Sequence, residues 1–112
     1  MAAPCYHAQS NIPTISADVT VTPSVDGSRF VVAAPVTTRT ITLDTTNSQP
    51  GESVSFTVIA VNGTADVFFQ DSGATERGRI AGLGNGGAIT FTYIGGVGWR
   101  ATSWSGDGDI TL

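Results

Sequence analysis

The amino-acid sequence predicts an all-β domain, a small antiparallel β-sandwich or barrel preceded by an extended N-terminal arm. Apolar and polar residues alternate in short runs, a pattern typical of half-buried strands. Asn, Asp, Pro and Gly separate these runs at intervals of roughly 8–12 residues, the spacing of strands in sandwiches and barrels. No segment sustains the period of an α-helix, so we expect no helix longer than one turn. With 112 residues, the chain forms one domain.

Residues 1–17 are predicted to be the extended arm, and residues 18–112 the β domain. The arm contains Pro4 and Pro13, isolated apolar residues and no sustained periodicity. We expect this segment to become ordered by contact with a partner.

The first strands of the domain lie on either side of clear turn signals. A hairpin is predicted over residues 18–33, because the Asp-Gly pair at 26–27 separates two runs rich in valine. Residues 36–43 form the next strand, with Ile41 and Leu43 on one face and threonines on the other. The segment DTTNSQPG that follows consists of turn residues, so it ends this strand and begins the next.

Residues 53–61 alternate strongly enough to predict a strand with one core face. The core side carries Val54, Phe56, Val58 and Ala60. The other side begins polar and becomes apolar at Ile59 and Val61, which predicts that one end of the strand is covered on both faces. An Asn-Gly pair then predicts a hairpin into residues 66–70, where three consecutive apolar residues imply burial on both faces or a bulge.

The last part of the domain is predicted to end in a hairpin. Residues 71–73 form a turn, one short strand lies near Ile80, and residues 84–87 form a glycine-rich break. Residues 88–94 and 99–104 then pair across a second glycine-rich turn.

Composition excludes several classes of function. The net charge is −4, lysine is absent and charged residues make up 12 % of the chain, so binding to nucleic acid is not expected. No apolar run approaches the roughly 20 residues of a membrane-spanning helix, so no membrane association is expected. Strand edges without lysine need another form of cover, which twist, loops or a neighbouring subunit could supply.

The sequence contains no recognisable catalytic or metal-binding set, so we expect no enzymatic activity and no cofactor. One histidine, His7, and one cysteine, Cys5, stand together in the arm without a partner motif. The GDGDI segment resembles a calcium loop but has neither the third oxygen ligand nor the glutamate, which favours a solvated turn. The other aspartates stand at predicted turns or strand ends, where their carboxylates accept hydrogen bonds from local N–H groups.

The candidate interface residues are aromatic and cationic. Trp99 and Trp104 are five positions apart, so on a regular strand they point to opposite faces. One then fills the core while the other joins Tyr93 and Phe69 as interface anchors. If the strand twists or bulges, both tryptophans belong to the core. A second set of candidates, which could pair with carboxylates of a neighbouring subunit or remain solvated, is Arg77, Arg79 and Arg100.

Two stretches of the chain resemble a module of tailed-bacteriophage virion proteins. The order ITLDTT…PGESVSF followed by GGAITFTYIGGVGWRA is similar to that module and covers about the C-terminal two-thirds of the chain. The resemblance implies a small homotrimeric β-module of fibres, spikes or capsid decorations. The chain has no long shaft and carries an arm, so it looks more like a capsid decoration, or cement, protein.

The resemblance implies a non-enzymatic structural role on the virion. The chain is expected to assemble in the host cytoplasm, bind the major capsid protein on the capsid surface as a homo-oligomer, and stabilise the shell. The arm residues expected to contact the capsid are Tyr6, Ile12 and Ile15. The alternative is a receptor-recognition or carbohydrate-binding tip of a tail fibre, with the glycine-rich loops at 71–87 and 95–98 presenting aromatics to a glycan.

Overall fold

A computed structural model describes residues 12–33, 38–59, 66–80, 87–106 and 110–111, which form two five-stranded sheets. In spatial order, sheet A consists of β1 (Thr14–Ile15), β3 (Arg29–Ala33), β5 (Ser53–Ile59), β8 (Gly87–Ile94) and β9 (Gly98–Gly106). Sheet B consists of β10 (Ile110–Thr111), β7 (Glu76–Ile80), β6 (Val67–Asp71), β4 (Arg39–Leu43) and β2 (Val19–Val21). A single helical turn, α1 (Pro23–Asp26), joins β2 to β3.

The first six strands wind as a coil between the two sheets. Odd-numbered strands enter sheet A and even-numbered strands enter sheet B, and neighbours within each sheet run parallel. The later strands close the sandwich with antiparallel pairs, β5 with β8, β6 with β7, β7 with β10 and β8 with β9. The all-β class is confirmed, but the sheets are mixed and not antiparallel throughout. Side-chain alternation is the same in both kinds of pairing, so it did not distinguish them.

The hairpin predicted over residues 18–33 does not form. The turn lies where the Asp-Gly signal placed it, but β2 belongs to sheet B and β3 to sheet A. In α1, the Thr22 carbonyl accepts hydrogen bonds from the N–H groups of Val25 and Asp26, at 2.9 and 2.7 Å. The hairpin predicted at the Asn-Gly pair fails for the same reason, since β5 and β6 lie in different sheets. That pair itself lies outside the described residues.

The predicted closing hairpin is confirmed, since β8 pairs with β9. The predicted turn at Asp71 and short strand near Ile80 are also present, and the structure pairs that strand, β7, with β6 as a further hairpin. The run Val67–Phe69 was predicted to be buried on both faces or to contain a bulge. It pairs with β7 in regular register, and the shift between Phe69 and Gln70 leaves the extra residue, Arg77, in β7. Phe68 is half-buried, while Val67 and Phe69 are buried.

One hydrophobic core lies between the sheets. Phe56 of sheet A contacts Phe69 of sheet B, with ring centroids 4.8 Å apart, and Phe69 lies 5.1 Å from Phe91 by the same measure. The predicted core faces of β4 and β5 are buried. Ile41 and Phe56, one from each strand, have no exposed surface. Burial of an apolar side chain of this size stabilises the fold by roughly 1.5–3 kcal/mol.

The burial of two residues, Ile15 and Ile59, differs from the prediction. β1 lies within the range predicted as the arm, and Ile15 in this strand is 8 % exposed and part of the core. Ile59, at the end of β5, was predicted to be covered, but it is 40 % exposed because its side chain lies on the outer face of sheet A. Val61 and Ala60 lie outside the described residues.

Candidate interaction surfaces

The described residues contain no group of three or more His, Cys, Asp or Glu side chains that could hold a metal ion. Cys5, His7 and the aspartates of the GDGDI segment lie outside the described residues. Within the same described ranges, no helix is long and apolar enough to cross a membrane.

The most connected polar residue is Asp44, which follows β4 and is 7 % exposed. Its carboxylate accepts hydrogen bonds from the Thr22 hydroxyl at 2.7 Å, the Thr46 N–H at 2.9 Å and the Asn47 side-chain amide at 3.0 Å. The Thr22 hydroxyl, followed by the Asn47 amide, lowers the pKa of Asp44 despite the opposing effect of burial. Its main-chain carbonyl accepts the indole N–H of Trp99 at 3.0 Å. Asp44 thus links the segment after β2, the loop after β4 and strand β9.

The predicted role of the turn carboxylates is confirmed at Asp26, Asp44 and Asp71, each of which accepts a local main-chain N–H. Asp18 instead accepts the N–H of Thr40, which is distant in the chain. Local turn chemistry was visible in the sequence. The contacts that Asp44 makes with Thr22 and with the ring of a tryptophan far along the chain were not.

Arg77, a predicted interface cation, pairs within its own chain. Its Nε and Nη2 atoms donate to one oxygen of Asp71 at 3.1 and 2.8 Å. Burial raises the pKa of Asp71, but the N–H groups of Thr75 and Gly73 together with Arg77 outweigh it and hold that pKa below its usual value. This pair stabilises the β6–β7 turn.

Arg79 and Arg100 also have partners within the chain. The Arg79 guanidinium lies 4.9 Å from the ring centroid of Phe68, and its nitrogens lie 3.3 Å from Glu76 and 3.9 Å from Asp66. Arg100 donates to the main-chain carbonyl of Trp99 at 2.8 Å. Exposed ion pairs of this kind contribute about 0–1 kcal/mol each, so Arg79 remains accessible to other charges at small cost.

Two of the four predicted interface aromatics belong to the core. Phe69 and Trp99 have no exposed surface, because sheets A and B meet directly over them. Tyr93 is half-buried and packs edge-on against Trp99, with ring centroids 5.3 Å apart. Trp104 alone among the described aromatics is half exposed, at 50 %.

The two tryptophans divide between core and surface, but not for the predicted reason. A register shift after Thr90 leaves one extra residue in β9, so Trp99 pairs with Tyr93 and Trp104 pairs with Ile89. Paired residues share a face, so the bulge turns Trp104 toward the core side of sheet A. It remains exposed because β9 is the edge strand of that sheet.

The structure describes two of the three predicted arm contacts. Tyr6 lies outside the described residues. Ile12 is 38 % exposed, whereas Ile15 is 8 % exposed and packs in the core.

The outer face of sheet A, formed by the side chains that point away from sheet B, is almost uncharged. The strands of this sheet carry two arginines, Arg29 and Arg100, and no acidic residue. A groove of about 350 Å³ crosses the face from Ile12 to Ser103. Its floor includes Ser55 and Thr90, whose hydroxyls are hydrogen-bonded at 2.8 Å.

A second depression lies at the edge where β1 and β2 face each other. This edge cleft has a volume of about 230 Å³. Its apolar lining comes from both sheets, namely Pro13, Ile15, Val19, Val21 and Phe30. Thr20 and Asp26 supply polar atoms at the cleft.

Comparison of the chain with models of known protein families, with curated proteins and with solved structures found no match. The likeness to phage virion modules therefore rests on the order of motifs in the sequence.

Proposed function

We propose that this chain is a non-enzymatic structural protein of a phage virion, a capsid decoration protein that binds and stabilises the capsid surface as a homo-oligomer. Three copies are the expected number, and the major capsid protein is the expected partner. The observation that supports the proposal most is the outer face of sheet A. That face combines uncharged Ser, Thr and Ala side chains with Arg29 and Arg100 and carries no acidic residue, in a chain whose net charge is −4.

Such a face is suited to protein association. Short hydroxyl-bearing and β-branched side chains lose little conformational entropy on contact, and hydroxyls donate or accept as the partner requires. An acidic patch would repel further copies of the same acidic chain, whereas this face does not. Binding to a capsid at several identical points would multiply a weak contact through effective concentration.

The proposal is tested by sedimenting the protein with phage capsids that lack it. We expect co-sedimentation and a higher temperature of capsid disruption when the protein is bound. Thr57→Glu places a charge on the outer face of sheet A, at an exposed position of β5, and should weaken binding. Ser24→Glu adds the same charge on α1, away from this face, and should not.

The contribution of the arm requires a truncation that spares the fold. Removal of residues 1–15 would delete β1 and the core residue Ile15, so a loss of binding would report misfolding. Removal of residues 1–11 leaves both intact. We expect an unchanged melting temperature and weaker capsid binding. If the wild-type chain does not bind capsids but binds immobilised glycans, the fibre-tip alternative replaces this proposal.

A further inference from the structure

Trp104 and the edge cleft lie at opposite edges of the same sandwich. Trp104 stands on β9, one edge of sheet A, and the cleft lies beside β1, the other edge. Four strand spacings separate these edges, about 19 Å, so one copy cannot place its own tryptophan in its own cleft. Every copy nevertheless carries both features.

The cleft has the chemistry that an indole ring requires. It is open because β1 and β2 are strands of two and three residues, which leave the side of the core uncovered. Ile15, Val21 and Phe30 form buried walls, and Val19, 40 % exposed, lies at the mouth. The carboxylate of Asp26 is an acceptor at the rim. Among the described residues, the indole N–H of Trp104 has no hydrogen-bond partner, and a buried tryptophan usually finds one.

We propose that Trp104 of one copy inserts into the edge cleft of the next copy, so that the chain associates head to tail. This inference rests on the self-association proposed above and specifies its contact. A contact between two different surfaces generates a ring when the rotation closes, and each copy in the ring then uses both its tryptophan and its cleft. The second half of β9, from Ala101 to Ser105, carries no charged side chain, so identical acidic chains can approach there without repulsion.

The occupant is a second copy because each chain presents an exposed aromatic and an apolar cleft that its own tryptophan cannot reach. Trp104 is the exposed aromatic among the described residues, and the edge cleft is lined mainly by apolar side chains. Fully buried tryptophans act as anchors at interfaces, and their loss typically weakens association by roughly 30-fold or more.

The first test measures the mass of purified full-length variants by light scattering after size exclusion. Trp104→Ala removes the anchor, and Val19→Glu places a charge in the mouth of the cleft. We expect both to be monomers at concentrations where the wild type is an oligomer. The matched controls are Val97→Ala and Val25→Glu, at apolar positions that are 49 % and 79 % exposed and do not line the cleft. Both controls should keep the wild-type mass.

A mixture of the two monomeric variants separates the head-to-tail contact from a symmetric one. Val19→Glu retains its tryptophan and Trp104→Ala retains its cleft, so together they form one complete contact. We expect a 1:1 heterodimer that does not grow, detected at about tenfold higher concentration because the second contact of the ring is missing. If Val19→Glu lowers the melting temperature by more than about 5 °C, Thr20→Arg at the same cleft replaces it.

Quenching of tryptophan fluorescence by acrylamide supplies an independent measure. Trp99 is fully buried, so accessible emission from the monomer comes from Trp104, and it should become protected as concentration rises. If the wild-type chain stays monomeric at all concentrations, the proposed self-association is itself refuted. An oligomer that survives Trp104→Ala, or folded variants that do not combine when mixed, would overturn this inference alone.

Discussion

Replacement of Asp44 by alanine tests whether the loop end of the sandwich depends on one carboxylate. In the wild type this group accepts the Thr22 hydroxyl, the Thr46 N–H and the Asn47 side-chain amide within 3.0 Å, and the Asn47 N–H at 3.3 Å. The alanine variant leaves all four donors without their acceptor. Because these loops lie near the surface, water can replace part of what is lost.

The magnitude follows from the number of short bonds. A hydrogen bond contributes about 1 kcal/mol net, and somewhat more when its acceptor is charged. Three bonds of 2.7–3.0 Å therefore predict a loss of about 3 kcal/mol in the free energy of unfolding. For a domain of roughly 100 residues, this corresponds to a melting temperature lower by about 15 °C.

Urea denaturation followed by tryptophan fluorescence measures this loss, since Trp99 is buried and donates to the Asp44 carbonyl. The matched control is Asp18→Ala, which removes an exposed carboxylate that accepts one N–H, from Thr40. That control should cost less than about 1 kcal/mol. Equal and small effects of the two substitutions would refute the reasoning that Asp44 organises these loops.

Three further predictions concern acid stability and the core. Asp44 and Asp71 have pKa values below the ordinary 3.8. Their contribution to the stability of the fold is therefore fully present above about pH 5 and is lost as the pH falls through 4 and below. Acid titration followed by circular dichroism measures this loss of stability. Gly78→Ala places a methyl group 3.2 Å from the ring of Phe91 and should cost about 1–3 kcal/mol in urea denaturation. Trp99→Phe keeps an aromatic ring in the core but deletes the indole donor to Asp44, which should cost at least about 1–2 kcal/mol. Because Trp99 is the buried fluorescent reporter, urea denaturation of this variant is followed by circular dichroism.

Each of these predictions has its own control. The Asp44→Ala variant should lose less stability than the wild type between pH 5 and pH 3, and parallel losses would contradict the assignment to this carboxyl. Gly73→Ala adds a methyl group in an exposed turn. An equal loss of stability there would show that the close approach to Phe91 does not cause the cost of Gly78→Ala. A Trp99→Phe variant as stable as the wild type would mean that water replaces the indole donor fully.

The sequence alone determined which side of β4 and β5 faces inward and where most turns occur. Alternation placed Ile41, Leu43 and Phe56 in the core, and glycine-rich turns placed the closing hairpin correctly. These features are local, because side-chain direction along a strand and the backbone freedom of a turn depend on a few adjacent residues. The spacing of Trp99 and Trp104 indicated different environments on a regular strand, but it did not decide which of the two is exposed.

Only the tertiary structure decided which strands pair and what covers each residue. The same turn signal serves a hairpin or a crossing between sheets, so the parallel coil of β1 to β6 was not visible in the sequence. Phe69 and Trp99 lie in the core because strands distant in the chain pack over them, and the edge cleft exists because β1 and β2 are too short to close the sandwich. Burial is a property of neighbours brought together by the fold, whereas alternation reports only the two sides of one strand.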